Sequence, residues 1–146
     1  MENATNPIIV EQTFNVAKSE VWKAITDHEE MVQWYFENID SFLPEEGFKT
    51  QFIVKSGDRS FTHQWKVTET IPGQKITYDW KYAEYHGDAF VAWELTEEGE
   101  LTLLRLTCVG IESFPPEIPE FTRESCHAGW KYFIQERLKE YLNKKS

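Results

Sequence analysis

The sequence predicts an α+β domain: a curved antiparallel sheet of about six or seven strands wrapped around one long C-terminal helix, with two short helices after the first strand. Three observations carry this. Apolar residues alternate along run after run between Ile8 and Ile111, the period of a half-buried strand. The runs are joined by turns of hairpin length, "SGD" (56–58), "IPGQ" (71–74) and "EEGE" (97–100). The chain then closes on "ESCHAGWKYFIQERLKEYL" (124–142), whose apolar residues recur at helical spacing. A meander of this kind has one apolar face to cover, and the terminal helix is the element available to cover it.

Each element follows in order. In "IIVEQTFNV", residues 8, 10, 14 and 16 are apolar with Gln12 between them, a strand. "KSEVWKAIT" places Val21, Trp22 and Ile25 on one helical face. "DHEEMVQWY" starts a second helix, with Asp27 as N-cap, Glu30 as its capping-box partner, and Met31 and Trp34 inward. "FENIDSF" (36–42) reads as a short strand. The next strands set Phe48, Phe52 and Val54, then Phe61, His63, Trp65 and Val67, then Ile76, Tyr78, Trp80 and Tyr82, each on one face. Two more set Val91, Trp93 and Leu95, then Leu104, Leu106 and Cys108. "EYHGDAF", with His86 and Asp88, reads as a solvated hairpin tip. "ESFPPEIPEF" (112–121) has three prolines and reads as a rigid loop before a helix over about 122–143. Residues 1–7 read as a loose arm, so the expectation is one domain over 1–146 with an ordered core over 8–143.

Composition bounds the function. The 146 residues carry 40% hydrophobic and 15% aromatic side chains, six of them Trp, a load that needs a large core or a cavity to receive it. The formal net charge of −10 argues against phosphate-backbone and anionic-membrane binding, so no nucleic acid and no membrane insertion are expected. "MENATNPIIV" has neither a basic nor an apolar signal region, and no apolar run approaches spanning length, which points to the cytoplasm. There the Asn3-Ala4-Thr5 sequon carries no meaning, and Cys108 and Cys126 read as reduced.

The terminal helix begins thin. On a wheel of about 100° per residue, Trp130, Phe133, Ile134, Leu138, Tyr141 and Leu142 form one stripe. Extended backwards it brings Arg123, Cys126 and His127 to the same side, with Gly129 at its edge and Arg137 in its middle. A helical Gly costs about 1 kcal/mol against Ala. Either close approach of the Pro-rich loop or room for a ligand would offset that cost, and both readings stand. Arg137 reads as a side chain that snorkels outward.

"VEQTFNVAKSEVWKAITDHEEMVQW", "WKVTETIPGQKITYDW", "FVAWELTEEGELTLLRLTCVGI" and "GWKYFIQERLKEYL" together resemble the activator-of-Hsp90-ATPase-homologue-1-like family of the START/Bet v 1-like superfamily. The matching positions include Val21, Trp22 and Trp34, Pro72 and Trp80, Leu104 and Gly110, and Gly129 and Trp130. Lys18 and His28 stand where the family often has Pro, and Cys108 where it often has His. The resemblance implies a helix-grip fold, a seven-stranded sheet gripping the C-terminal helix over a cavity. Superfamily members use that cavity for lipids, sterols, polyketides or hormones, and a few are cyclases or dehydratases. The chaperone-activating namesake carries an additional N-terminal domain for which this chain has no room.

No local motif carries chemistry. Cys108, Cys126, His127 and His63 could converge, but there is no CxxC, HxxxH or HExxH, so no metal or cofactor is expected. Ser125, Cys126 and His127 are neighbours on a helix and point apart, unlike a triad, so no catalytic residue is assigned. The expectation is a non-enzymatic domain binding a small hydrophobic or amphipathic ligand between sheet and helix. His63, Tyr78 and Gln12 are its polar anchors, Trp34, Trp65, Trp80 and Trp130 its walls, and Cys108 and Cys126 further contacts. One alternative is a chaperone or stress accessory using the acidic surface and the "FPPEIPEF" loop. The other is a cyclase or dehydratase built on an acid–base pair of His63 and Tyr78. Monomer and homodimer both remain open.

Overall fold

In the computed structural model, which describes residues 7–144, the strands are β1 (Ile8–Phe14), β2 (Lys49–Ser56), β3 (Arg59–Ile71), β4 (Lys75–Tyr82), β5 (Tyr85–Glu98) and β6 (Leu101–Val109). They form one antiparallel sheet in the order β1-β6-β5-β4-β3-β2. The expected arm over 1–7, apart from Pro7, and the Asn3 sequon lie outside the described residues. The alternation read from the sequence is the alternation of burial: Phe61, His63, Trp65 and Val67 of β3, and Ile76, Tyr78 and Trp80 of β4, all face inward. Register irregularities between Val67 and Glu69 and between Trp80 and Tyr82 give β3 and β4 the bends a curved sheet needs.

After β1 come α1 (Lys18–Thr26) and α2 (His28–Trp34). Asp27 is the N-cap of α2, but its side chain makes no capping bond. The expected box fails because Glu30 turns inward instead. It is 5% exposed, accepts the Tyr141 hydroxyl at 2.9 Å and pairs with Lys23 at 3.5 Å, tying both short helices to the C-terminal one.

Residues 36–42 do not form the strand expected of them, so six strands are seen among the described residues where the family resemblance implied seven. The apolar positions Phe36, Ile39 and Phe42 are three apart, not two, and they anchor an irregular path across the core. His28 Nε2 donates to the Ile39 carbonyl at 2.6 Å, and the Asn38 amide bonds the Ile53 carbonyl. The segment 84–90 is not a hairpin tip either. The reversal is at Ala83-Glu84, and His86 and Asp88 already lie in β5. Gly87 makes this possible. Its φ is +119°, and a Cβ there would overlap the Phe114 ring. Gly110 (φ +100°) comes as close on the other side, where a Cβ would lie 2.7 Å from the Asp88 carbonyl oxygen. These two glycines let the loop after β6 fold down against the start of β5.

The C-terminal helix is α3 (Arg123–Lys131), a π-helical stretch (Tyr132–Leu138) and α4 (Lys139–Asn143). Thr122 caps it by accepting from the Ser125 amide at 3.2 Å. The wider turns narrow the expected stripe, leaving Phe133 and Tyr141 half-buried at its edges. The buried residues are Trp130, Ile134, Leu138 and Leu142, spaced by four throughout. Arg137 therefore falls outside, exposed, and donates to the Gln33 carbonyl at 3.0 Å. His127 and Arg123 also face away from the sheet's core side and are exposed, against expectation. Arg123 instead holds the Pro7 carbonyl at 3.0 Å.

Candidate functional site

A cavity of about 190 Å³ lies between the sheet and the first half of the C-terminal helix. β3, β4, β5 and β6 supply its floor through His63, Trp80, Tyr82, Ala89 and Cys108. The helix supplies its roof through Cys126, Gly129, Trp130 and Phe133. The loop after β6 closes one end with Ile111, Phe114, Glu120 and Phe121, and Phe36 closes the other. A Cβ on Gly129 would meet nothing within 4 Å. Of the thin part, Cys126 and Gly129 line the cavity while Ser125, His127 and Ala128 are exposed, and no other backbone presses on Gly129.

Five of the nine expected contact residues line this cavity: His63, Trp80, Cys108, Cys126 and Trp130. Four do not. Trp34, Trp65 and Tyr78 are packed in the solid part of the core, and the Gln12 amide donates to the neighbouring Thr13 carbonyl at 2.9 Å. Trp34 donates to the Ala24 carbonyl at 2.8 Å, and the Tyr78 hydroxyl accepts from Trp93 Nε1 at 3.0 Å and lies 3.4 Å from the Tyr35 hydroxyl. The expected pairing of His63 with Tyr78 is not made. His63 sits opposite Tyr82 across the β3–β4 ladder, with ring centroids 4.8 Å apart. Period-two reasoning placed both tyrosines on the right face but could not count register across the Pro-Gly turn. Phe36, Phe114 and Phe121 were missed because they sit on irregular backbone, where no periodicity marks the inward face.

His63 is 5% exposed. Phe52 stacks on it at 4.8 Å, and Phe36 and Trp80 approach at 5.1 and 5.2 Å. Its Nδ1 lies 3.0 Å from the Phe61 carbonyl oxygen. A carbonyl only accepts, so Nδ1 carries the proton and Nε2 presents a lone pair. Burial pushes the imidazole pKa down to about 4, partly opposed by that carbonyl and by the Glu84 carboxylate, so the ring is neutral at pH 7. Burial likewise pushes the Cys108 thiol up to about 12 and the Cys126 thiol up to about 11, which leaves both protonated and poorly nucleophilic. Burial also raises the Tyr82 phenol, against a hydrogen bond with Trp80.

Glu120 is the one carboxylate on the rim among the described residues. Its oxygens accept from the Ser56 hydroxyl at 2.7 Å and from Arg59 Nε at 2.9 Å, so it is held ionised and bent towards the β2–β3 turn. This pair latches the Pro-rich loop over the cavity. Chemically the site offers aromatic walls, one neutral imidazole and no activated nucleophile. Among the described residues no group of three or more His, Cys, Asp or Glu side chains is placed to hold a metal, and no helix is long and apolar enough to cross a membrane.

Comparison with known proteins agrees with this architecture. DynU16, from the dynemicin biosynthetic locus, superposes with a TM-score of 0.73 at 25% identity, covering 96% of this chain and 48% of its own. The chain thus spans about half the length of DynU16. The Mll3558 protein of Rhizobium loti superposes with a TM-score of 0.81 at 17% identity, covering 94% and 97%. The Aha1 dimer of Colwellia psychrerythraea superposes with a TM-score of 0.68 at 19% identity, covering 92% and 94%. At these last identities the likeness is one of fold. No curated protein matches the sequence. The family model described as "Activator of Hsp90 ATPase homolog 1-like protein" matches residues 15–143, and with the gripped helix, the curved sheet and the cavity in place, the chain belongs to that family.

Proposed function

We propose that this protein binds a small hydrophobic or amphipathic ligand in the cavity between sheet and C-terminal helix, as a non-enzymatic domain in the cytoplasm. The observation that carries this reading is Gly129. It keeps about 1 kcal/mol of helix instability at a position where a Cβ would touch nothing, directly over a space walled by Trp80, Trp130 and Phe121. A core selected for stability alone would fill that space. His63, Trp80, Cys108, Cys126 and Trp130 are the ligand contacts in this reading. The location of DynU16 in a biosynthetic locus supports a small-molecule role.

The two rival readings have less to stand on. The large aromatic side chains of the Pro-rich loop, which a chaperone-accessory role would have offered to a partner, are buried: Phe114 and Phe121 point inward, which leaves Pro116, Pro119 and the half-buried Ile118 at the surface. A cyclase or dehydratase needs a competent base, and an imidazole with a pKa near 4 is a weak one.

Native mass spectrometry of the gently purified chain tests the proposal. A reproducible bound mass, lost on denaturation and absent from Gly129→Leu, is the expected result. A bare chain under the same conditions removes the reading.

A further inference from the structure

We propose that the cavity is shaped for an uncharged, flat aromatic molecule of about one or two fused rings that carries a hydrogen-bond donor, and not for a fatty-acyl chain or any anion. This rests on the cavity-binding reading above and names the ligand class that reading leaves open.

Size comes first. At about 190 Å³ the cavity is somewhat larger than the ~150 Å³ void that takes up benzene. It is smaller than the ~300 Å³ at which pockets for drug-sized ligands begin. Shape comes second. Trp80 and Trp130 stand 5.4 Å apart at 69°, and Tyr82, Phe114 and Phe121 pack edge and tilted against one another at 4.9 to 5.2 Å. Rings at such angles leave flat slots that receive another ring edge-to-face, the geometry aromatic pairs prefer.

Charge comes third. Among the described residues no lysine or arginine lines the cavity, and Arg59 is committed to Glu120 at the rim. The Glu120 carboxylate, the neutral thiols and the neutral imidazole give an incoming carboxylate or phosphate nothing to pair with. The polar atoms come last. The Cys126 thiol reaches the Glu120 carbonyl at 3.7 Å. His63 Nε2 has no hydrogen-bond partner among the described residues, on a ring that lines the cavity and is 5% exposed. With Nδ1–H directed at the Phe61 carbonyl, Nε2 can only accept. A ligand donor, a phenolic hydroxyl or a ring N–H, is what this lone pair can take.

Isothermal titration calorimetry on the full chain tests this with naphthol, its methyl ether, naphthoate and dodecanoate. Naphthol is expected to bind, the ether about tenfold more weakly for want of the donated hydrogen bond, and the two anions not measurably. His63→Phe should bring naphthol down to the level of the ether and leave the ether within about twofold, a pattern that general unfolding would not give. Equal binding of naphthol and its ether overturns the donor assignment. Naphthoate or dodecanoate binding as tightly as naphthol overturns the ligand class, and in both cases the cavity-binding reading stands. If no probe binds, the ligand class falls, and the broader reading falls with it only if native mass spectrometry also finds no bound mass.

Discussion

The two ends of the core are built from the same kinds of residue and do different things with them. At one end Trp34, Tyr35, Trp65, Tyr78 and Trp93 are fully packed, and the polar heads of four of them are spent on each other or on backbone: Trp34 on Ala24, Trp93 on Tyr78, Tyr78 on Tyr35. Trp65 Nε1 is the exception, buried without a partner. At the other end His63, Trp80, Tyr82, Phe121 and Trp130 surround a space, and the second ring nitrogen of His63 is left without a partner among the described residues. Aromatic content alone therefore does not mark a pocket. What separates the ends is what lies opposite the rings: on one side other rings, on the other a glycine and two small thiols.

Truncating a matched pair of tryptophans gives the largest expected effect. Trp93→Ala removes a 1%-exposed ring together with the donor to Tyr78, and urea unfolding should show a loss of roughly 3–5 kcal/mol. Trp130→Ala removes a ring that already lacks partner atoms on its cavity side, so it should cost at least about 1 kcal/mol less. Equal losses would mean that the hollow end is as tightly packed as the solid one.

Acid should expose the hollow end next. His63 titrates near 4 in the folded chain and near 6.5 unfolded, so the unfolded state binds its proton first as pH falls. The stability this imidazole confers is complete above pH 6.5 and is lost down to pH 4, by roughly 3 kcal/mol. Glu84, whose carboxylate favours the charged ring, softens this, while Phe36, Phe52, Trp80 and Tyr82 offer no charge. Asp79 works in the opposite sense, because burial and the neighbouring Asp88 raise its carboxyl to about 6. The decisive quantity is thus the difference between the parent and His63→Phe, measured from pH 7 to pH 4. A parallel pair of curves would show that the ring is solvated rather than sealed against the cavity.

The sequence carried the solid end well and the hollow end in part, for physical reasons. Strand periodicity identifies a face, and all of Phe61, His63, Trp65, Ile76, Tyr78 and Trp80 lie on the face expected of them. It does not say how far along the strand a residue sits or which partner faces it, so Tyr78 was paired with His63 where Tyr82 belongs. Helical periodicity placed Trp130, Ile134, Leu138 and Leu142 correctly and went wrong only in the backward extension to Arg123 and His127, which are exposed. Arg137 reaches outward as expected, beside a π-helical stretch that no sequence periodicity announces. The walls contributed by Phe36, Phe114 and Phe121 were illegible because irregular backbone has no period, and because the close approach at Gly87 is a tertiary fact. Gly129 was legible as an anomaly, since a glycine in a good helix asks for a reason.

A subtler pair separates sealed from accessible polar groups. Tyr78→Phe leaves the Trp93 indole N–H buried with nothing to bond, a loss of about 1–3 kcal/mol. Tyr82→Phe removes a hydroxyl from a half-buried ring beside the cavity, where water can replace what it loses, and thermal unfolding should register less than about 1 kcal/mol. If Tyr82→Phe proves the costlier of the two, the cavity is dry and closed, and the Glu120–Arg59 latch becomes the element that must open before anything enters.

The smallest expected effect has the most informative sign. Gly129→Ala adds a methyl group that meets nothing within 4 Å, at a helical position with no positive φ to forbid it. The backbone entropy that alanine saves should make the variant more stable by up to about 1 kcal/mol. A glycine kept for close packing would give the opposite sign, because the new methyl would press on a neighbour that has to move. Gly129→Leu separates the remaining possibilities, since its side chain is long enough to enter the cavity. It should hold or raise stability while abolishing naphthol binding in calorimetry. Stability and binding would then move in opposite directions at a single residue, as expected where a fold has given up packing in order to keep a ligand.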